Sequence, residues 1–201
     1  MRTARRYLVA SSLARLLLRE QSPVRVVEGH FPPSQGRRSY VLFEDSTCNL
    51  VLISEPGSAD EEEERTEVPS KQGQFLLEVC AGTLVYHRAL VPIGGGREAA
   101  ICSYSVPASL HLIEVEFQDG KQAGAFVPPI WFGPDVSDDE GFDHTAMATA
   151  GLPKQPLVPL SDAAVNAVID LLDFGGRPQR PAIPLRAGNG AVEALRPVQG
   201  A

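Results

Sequence analysis

The chain has 201 residues, 43% apolar and 21% charged, with a formal net charge of −7. That length suffices for one domain with a full core, and the composition is globular rather than disordered or fibrous. The acidic balance argues against a general nucleic-acid binder, and no apolar run is long enough to span a bilayer.

The N-terminal sequence Met1-Arg-Thr-Ala-Arg-Arg-Tyr-Leu has the outline of a twin-arginine signal. Arg15, Arg19 and Glu20 interrupt the apolar stretch and no clean cleavage site follows, so it is read as part of the mature fold. Cys48, Cys80 and Cys102 are far apart and lack metal or disulfide spacing, so buried free thiols in a reducing cytoplasm are expected.

In chain order, residues 6–9 read as a strand. A helix over 11–20 follows, with Leu13, Leu16 and Leu17 as its apolar stripe and Ser11-Ser12 as its cap. Residues 24–31 form a second strand. Residues 38–43 and 49–54 pair as a hairpin around Glu44-Asp45-Ser46-Thr47. Asp60 to Glu64 is an acidic run, expected to be solvated and mobile, and it leads into a strand holding Arg65 and Glu67. Residues 70–80 predict a helix capped by Ser70, with Phe75, Leu76 and Val79 inward and Gly82 at its end. Strands over 83–92 and 99–104 flank a Gly94-Gly95-Gly96 turn, which lacks the Lys-Ser or Lys-Thr of a phosphate loop.

The next strand alternates cleanly, His111-Leu112-Ile113-Glu114-Val115-Glu116-Phe117. Glu114 and Glu116 share one face, and Ile113, Val115 and Phe117 share the other. Trp131-Phe132-Gly133, Asp135-Val136-Ser137 and Phe142-Asp143-His144 with Met147-Ala148 come after it. Beyond Pro153, Ser161-Asp162 cap a helix over 163–173 with Val165, Val168, Ile169 and Leu172 on one face. Either the barrel mouth or a dimer partner could cover that face. The organisation expected is a domain over 1–153, an extra helix over 154–174, and a disordered Pro/Gly/Arg-rich tail over 175–201.

The order from Tyr7 to about Pro153 resembles the CYTH family, the triphosphate tunnel metalloenzymes. Its members close a tunnel with a Glu-x-Glu strand, followed by a Trp-Leu-Gly-x-Glu-Val-Thr-like loop and a Tyr-Tyr-Asn-x-x-Leu-Ala helix. The resemblance implies an α+β fold: an antiparallel, closed or nearly closed eight-stranded β-barrel with short flanking helices. It implies a bore in which carboxylates hold Mg²⁺ or Mn²⁺ and cations hold triphosphate.

Laid on the family pattern, the chain keeps Glu67, Glu114 and Glu116 as metal candidates and Arg6 and Arg88 as anion-binding candidates; Arg38, at the start of the strand over 38–43, is a further anion-binding candidate. Arg2, Ala4, Ala100 and Cys102 stand where the family has carboxylates. Val41, Phe43, Ser54 and Tyr86 stand where it has cations. These replacements predict a smaller, drier bore, in which Arg6 or Arg88 could pair with Glu114 or Glu116 as a buried network. The function expected is therefore a degenerate tunnel without metal-dependent hydrolysis, a pseudoenzyme binding a small or phosphorylated ligand. The alternative is a divergent Mg²⁺- or Mn²⁺-dependent phosphohydrolase. The C-terminal helix is the candidate surface for a protein partner or a homodimer.

Overall fold

The computed structural model describes residues 3–32, 34–56, 58 and 61–175. The tail reading over 175–201 falls outside them, except for the backbone of residue 175. Eight strands form one antiparallel sheet. They are β1 (Thr3–Leu8), β2 (Val24–His30), β3 (Arg37–Glu44), β4 (Thr47–Ser54), β5 (Glu62–Glu67), β6 (Gly82–Gly94), β7 (Arg97–Val106) and β8 (Leu110–Phe117). The order is β1-β8-β7-β6-β2-β3-β4-β5, and β1 and β5 do not pair, so the barrel is nearly closed. The helices are α1 (Ser11–Glu20), α2 (Ser70–Glu78), α3 (Gly120–Ala125), α4 (His144–Ala150) and α5 (Asp162–Gly175), with a 3-10 turn at Glu140–Phe142.

Both faces of the sheet are covered. On the outer face, Ile113, Val115 and Phe117 of β8 join Ile101 and Val91 against Leu13, Ala14, Leu17 and Leu18 of α1. Helix α5 packs on α1 with Ala164 and Val168 buried and Val165 and Leu172 partly buried, while Ile169 of the expected stripe stays 45% exposed. On the inner face, Leu8, Val26, Leu42, Val51, Leu84, Leu110 and Leu112 pack against Phe142 and Met147, which α4 and the turn before it carry into the bore.

The free edge of β1 is covered by the segment holding Trp131. Gly133 N donates to Leu8 O at 2.8 Å, Leu8 N to Pro134 O at 2.9 Å and Val136 N to Arg6 O at 2.8 Å. A Cβ at Gly133 would press on the Leu8 carbonyl, which explains glycine after Trp131-Phe132. Covering an edge in this way removes a template for unwanted pairing. Strand β5 keeps its edge exposed, and its Glu-Glu-Glu-Arg-Thr-Glu sequence blunts it with charge.

Several expectations are corrected. The acidic residues from Glu62 onward are paired in β5 rather than forming a mobile run. Both α1 and α2 begin on their serines without a side-chain cap. In α2 the face toward the sheet runs through Gly73, Leu76 and Leu77, while Phe75 and Val79 are 67% and 65% exposed. Gly73 sets that face, because a side chain there would collide with Cys48 and Phe43. Helix α3 was not anticipated; Asp119 caps it by accepting from Gln122 N at 2.9 Å.

Gly82 does not end α2 but opens β6, where a Cβ would overlap the Ala148 carbonyl of α4. Gly82→Ala is expected to push α4 outward and cost about 1–3 kcal/mol, the range for overpacking. Urea denaturation of the two proteins checks it, and equal midpoints would mean that α4 accommodates the methyl group.

Candidate active site in the bore

Register fixes which side chains enter the bore. Arg6 is paired with Glu114 and Ala4 with Glu116. Glu114 is also paired with Ala100, and Cys102 with Arg88. Tyr86 and Val26 face each other, as do Glu28 and Leu42, and His30 and Tyr40. Residues opposite one another in an antiparallel pair share a face. One inner face therefore carries Arg6, Glu28, His30, Arg38, Glu44, Arg88, Glu98, Glu114 and Glu116, and at the edge strand Glu63, Arg65 and Glu67.

This register overturns part of the dry-bore expectation. Val41 and Phe43 point to the outer face under α2, and Ser54 pairs with Arg37 on that same side. Arg38, Tyr40, Leu42 and Glu44 enter the bore instead. The error came from β3 itself: both of its faces carry apolar residues, so alternation does not reveal the phase. Ala4, Ala100, Cys102 and Tyr86 do face inward.

At the centre lies a hydrogen-bonded ionic network. His144, at the start of α4, places Nδ1 2.9 Å from Glu28 Oε2. Its Nε2 is 2.8 Å from Tyr104 Oη and 3.3 Å from Glu114 Oε1. Arg6 Nε reaches the same Glu114 oxygen at 3.3 Å. Glu28 also meets His30 Nε2 at 3.0 Å and accepts from Tyr86 Oη at 2.5 Å. Asp143 positions the helix start, accepting from Thr145 N at 2.9 Å and from Arg38 Nη1 at 3.1 Å. Arg88 pairs with Glu44 rather than with a β8 glutamate.

These contacts set the protonation states. Burial disfavours a charged His144, but Glu28 and Glu114 outweigh it and raise its pKa to about 10. Burial would raise Glu28, yet the His144 charge and hydrogen bonds from His144, His30 and Tyr86 hold it below the carboxylate range. Glu114 is lowered likewise: burial opposes, and His144 and Arg6 prevail over the repulsion from Glu28. Tyr86 and Tyr104 are raised, first by burial and then by nearby carboxylates, and remain neutral phenols. At neutral pH His144 is an imidazolium donating from both nitrogens.

The network divides the inner space. On one side is a small polar cavity of about 130 Å³ lined by Arg6, Glu28, His30, Arg38, Tyr40 and His144. On the other is a cavity of about 650 Å³, whose walls include Arg88, Glu98, Ala100, Glu114, Glu116 and the rim residue Arg97. Arg97 stacks over the Phe117 ring, 4.9 Å from its centroid. Glu98 and Glu116 form no ion pair among the described residues.

Comparison with known proteins places this geometry in a family. The chain is 46% identical over 110 residues to the inorganic triphosphatase of Nitrosomonas europaea, an alignment covering 53% of this chain and 72% of that protein. The chain belongs to the CYTH, or triphosphate tunnel, family. Within it, the chain is a triphosphatase-like, CYTH-fold protein. Two solved structures of the protein NE1496 share the fold. One superposes with a TM-score of 0.57 at 23% identity over 76% of this chain and 100% of that one. The other, of the inorganic triphosphatase NE1496, gives 0.56 at 22% over 74% and 95%. No family model matches the sequence. No helix among the described residues is long and apolar enough to cross a membrane.

Against the CYTH pattern, the predicted site residues separate into groups. Glu114 and Glu116 share the large cavity with Arg88. Arg6 and Arg38 border the small one. Glu67 is in register with Asn49 and so shares the inner face with Leu42 and Glu28, but it is exposed on the edge strand β5 and borders a different cavity, beside Ser46 and Pro69. Among the described residues no three acidic, histidine or cysteine side chains converge to cage a metal. Mg²⁺, however, often keeps several waters and takes one or two carboxylates plus substrate phosphates. The free pair Glu98 and Glu116 fits that kind of donor set. Sequence reasoning missed Glu28, His30, Glu44, Glu98, Tyr104 and His144. Glu28 and His30 were visible as same-face polar residues on a strand, but His144 enters only through the path of α4.

Proposed function

We propose that this CYTH-fold protein hydrolyses a small inorganic triphosphate in the large cavity, using a divalent cation. The observation that carries the reading is one wall holding two carboxylates, Glu98 and Glu116, without an ion pair among the described residues, beside the Arg88 guanidinium. Identity to a protein named for inorganic triphosphate hydrolysis supports the choice of substrate.

In this reading Glu116 and Glu98 hold Mg²⁺ or Mn²⁺, which supplies charge neutralisation at the phosphate oxygens. Arg88, oriented by Glu44, binds phosphoryl oxygens through a guanidinium that stays charged at any working pH. Leu90 and Ala100 make part of the wall apolar and limit water around the bound anion. Incubating the full chain with inorganic triphosphate and Mg²⁺ or Mn²⁺ is expected to release orthophosphate. Glu116→Gln is expected to lose both this activity and Mn²⁺ affinity.

A second reading is the degenerate tunnel that binds a phosphorylated ligand without turnover. It is favoured by Ala4, Ala100 and Cys102 on the inner face, where the family pattern has carboxylates. Saturable triphosphate binding by calorimetry, with no orthophosphate released under either metal, would select it over hydrolysis.

A further inference from the structure

Glu114 and Glu116 lie two residues apart on β8, face the same way and border the same cavity. Their surroundings differ. The Oε1 atom of Glu114 is shared by Arg6 Nε and His144 Nε2, each at 3.3 Å. Glu116 has no ion pair among the described residues. His144 is not free to release Glu114: its other nitrogen is held by Glu28, only 6% exposed and itself tied to His30 and Tyr86. Swinging the ring away would cost buried Glu28 one of its three side-chain hydrogen bonds. The helix that carries His144 is anchored by the Arg38–Asp143 contact and by its tight seat on Gly82.

We propose that His144 is a positioning residue that holds Glu114 out of cation ligation, leaving Glu116 with Glu98 to carry the divalent ion. A carboxylate oxygen already occupied by the Arg6 guanidinium and the His144 ring nitrogen, each at 3.3 Å, has little room or charge left for a further cation. The glutamate pair, which looks equivalent along the strand, is thus divided into an internal counter-ion and a ligand. The part concerning Glu116 and Glu98 rests on the proposed metal-dependent hydrolase; the hold of His144 on Glu114 does not.

The test uses the full chain, the variants H144Q, E114Q and H144Q/E114Q, and two readouts. In thermal unfolding the losses from H144Q and E114Q are expected to be less than additive, because each removes the same contact. Simple additivity would overturn the proposal whatever the protein hydrolyses. In Mn²⁺ titration calorimetry H144Q is expected to bind at least about fivefold more tightly than wild type, and E114Q is expected to cancel that gain. A role confined to stability predicts unchanged or weaker binding, and that result in folded H144Q would overturn the proposal. Should wild type bind no Mn²⁺, the proposed hydrolase fails at its cation site. Gain of Mn²⁺ binding in H144Q would then still support the hold on Glu114, and continued silence would refute it.

Discussion

Arg88→Ala is expected to lower turnover of inorganic triphosphate by about 10²–10³-fold, the cost of removing one preorganised donor from a site where negative charge must be stabilised. Arg88 lies in register with Cys102, in the middle of the sheet, and faces the cavity that Glu98, Glu114 and Glu116 border. Glu44 on β3 holds its guanidinium before any ligand arrives. A donor already fixed in place costs little reorganisation when an anion binds. Lysine has the charge but not the planar fork, so Arg88→Lys is expected to recover only part of the activity. Steady-state kinetics with Mg²⁺ checks both variants, with circular dichroism confirming the fold. Activity of the alanine variant within about threefold of wild type would place the phosphate elsewhere in the bore.

His144→Gln is expected to destabilise the fold by about 3–5 kcal/mol near pH 6, because Glu28 and Glu114 lose the cation between them. The same change alters the pH dependence in a direction that follows from the shifts. His144 is raised from 6.5 to about 10, so its contribution is complete below pH 6.5 and is lost as pH rises toward 10. Glu28 and Glu114 are lowered from 4.5, so theirs is complete above 4.5 and is lost as pH falls. His111, lowered from 6.5 by burial and Arg15, also loses stability on the acid side. Wild type is therefore expected to be most stable between 4.5 and 6.5, toward the upper end.

Above pH 6.5 the His144 linkage falls by up to about 1.4 kcal/mol per pH unit. Thermal midpoints from pH 6.5 to about 7.5 isolate this limb, since the cysteines, raised by burial, and the tyrosines add their own alkaline loss at higher pH. In His144→Gln the limb is expected to flatten. An unchanged slope would mean that another group carries the alkaline loss.

Much of the architecture was legible along the chain. Seven of the eight strands have a counterpart in the apolar patterning, β5 with its Glu-Glu-Glu-Arg-Thr-Glu sequence being the exception, and the β8 alternation assigns Glu114 and Glu116 to one face without reference to any neighbour. Strand β3 was different. Tyr40 and Leu42 are apolar on one side and Val41 and Phe43 on the other, so its phase waited on α2 covering the outer face. The partner of Arg6 was anticipated as one of the β8 glutamates, while that of Arg88 was not, because Glu44 reaches it from β3 across β2, a juxtaposition that depends on the strand order.

The sequence by itself determined most of the strands, the family pattern and the pair of glutamates, because two-residue periodicity is local and survives without knowledge of what packs on it. Tertiary structure alone decided which glutamate is neutralised and which is free. That choice depends on an imidazole from residue 144 reaching Glu28 and Glu114 on strands three positions apart. Ionic environment falls off within a few ångströms, and only folding brings groups so distant in the chain to that separation.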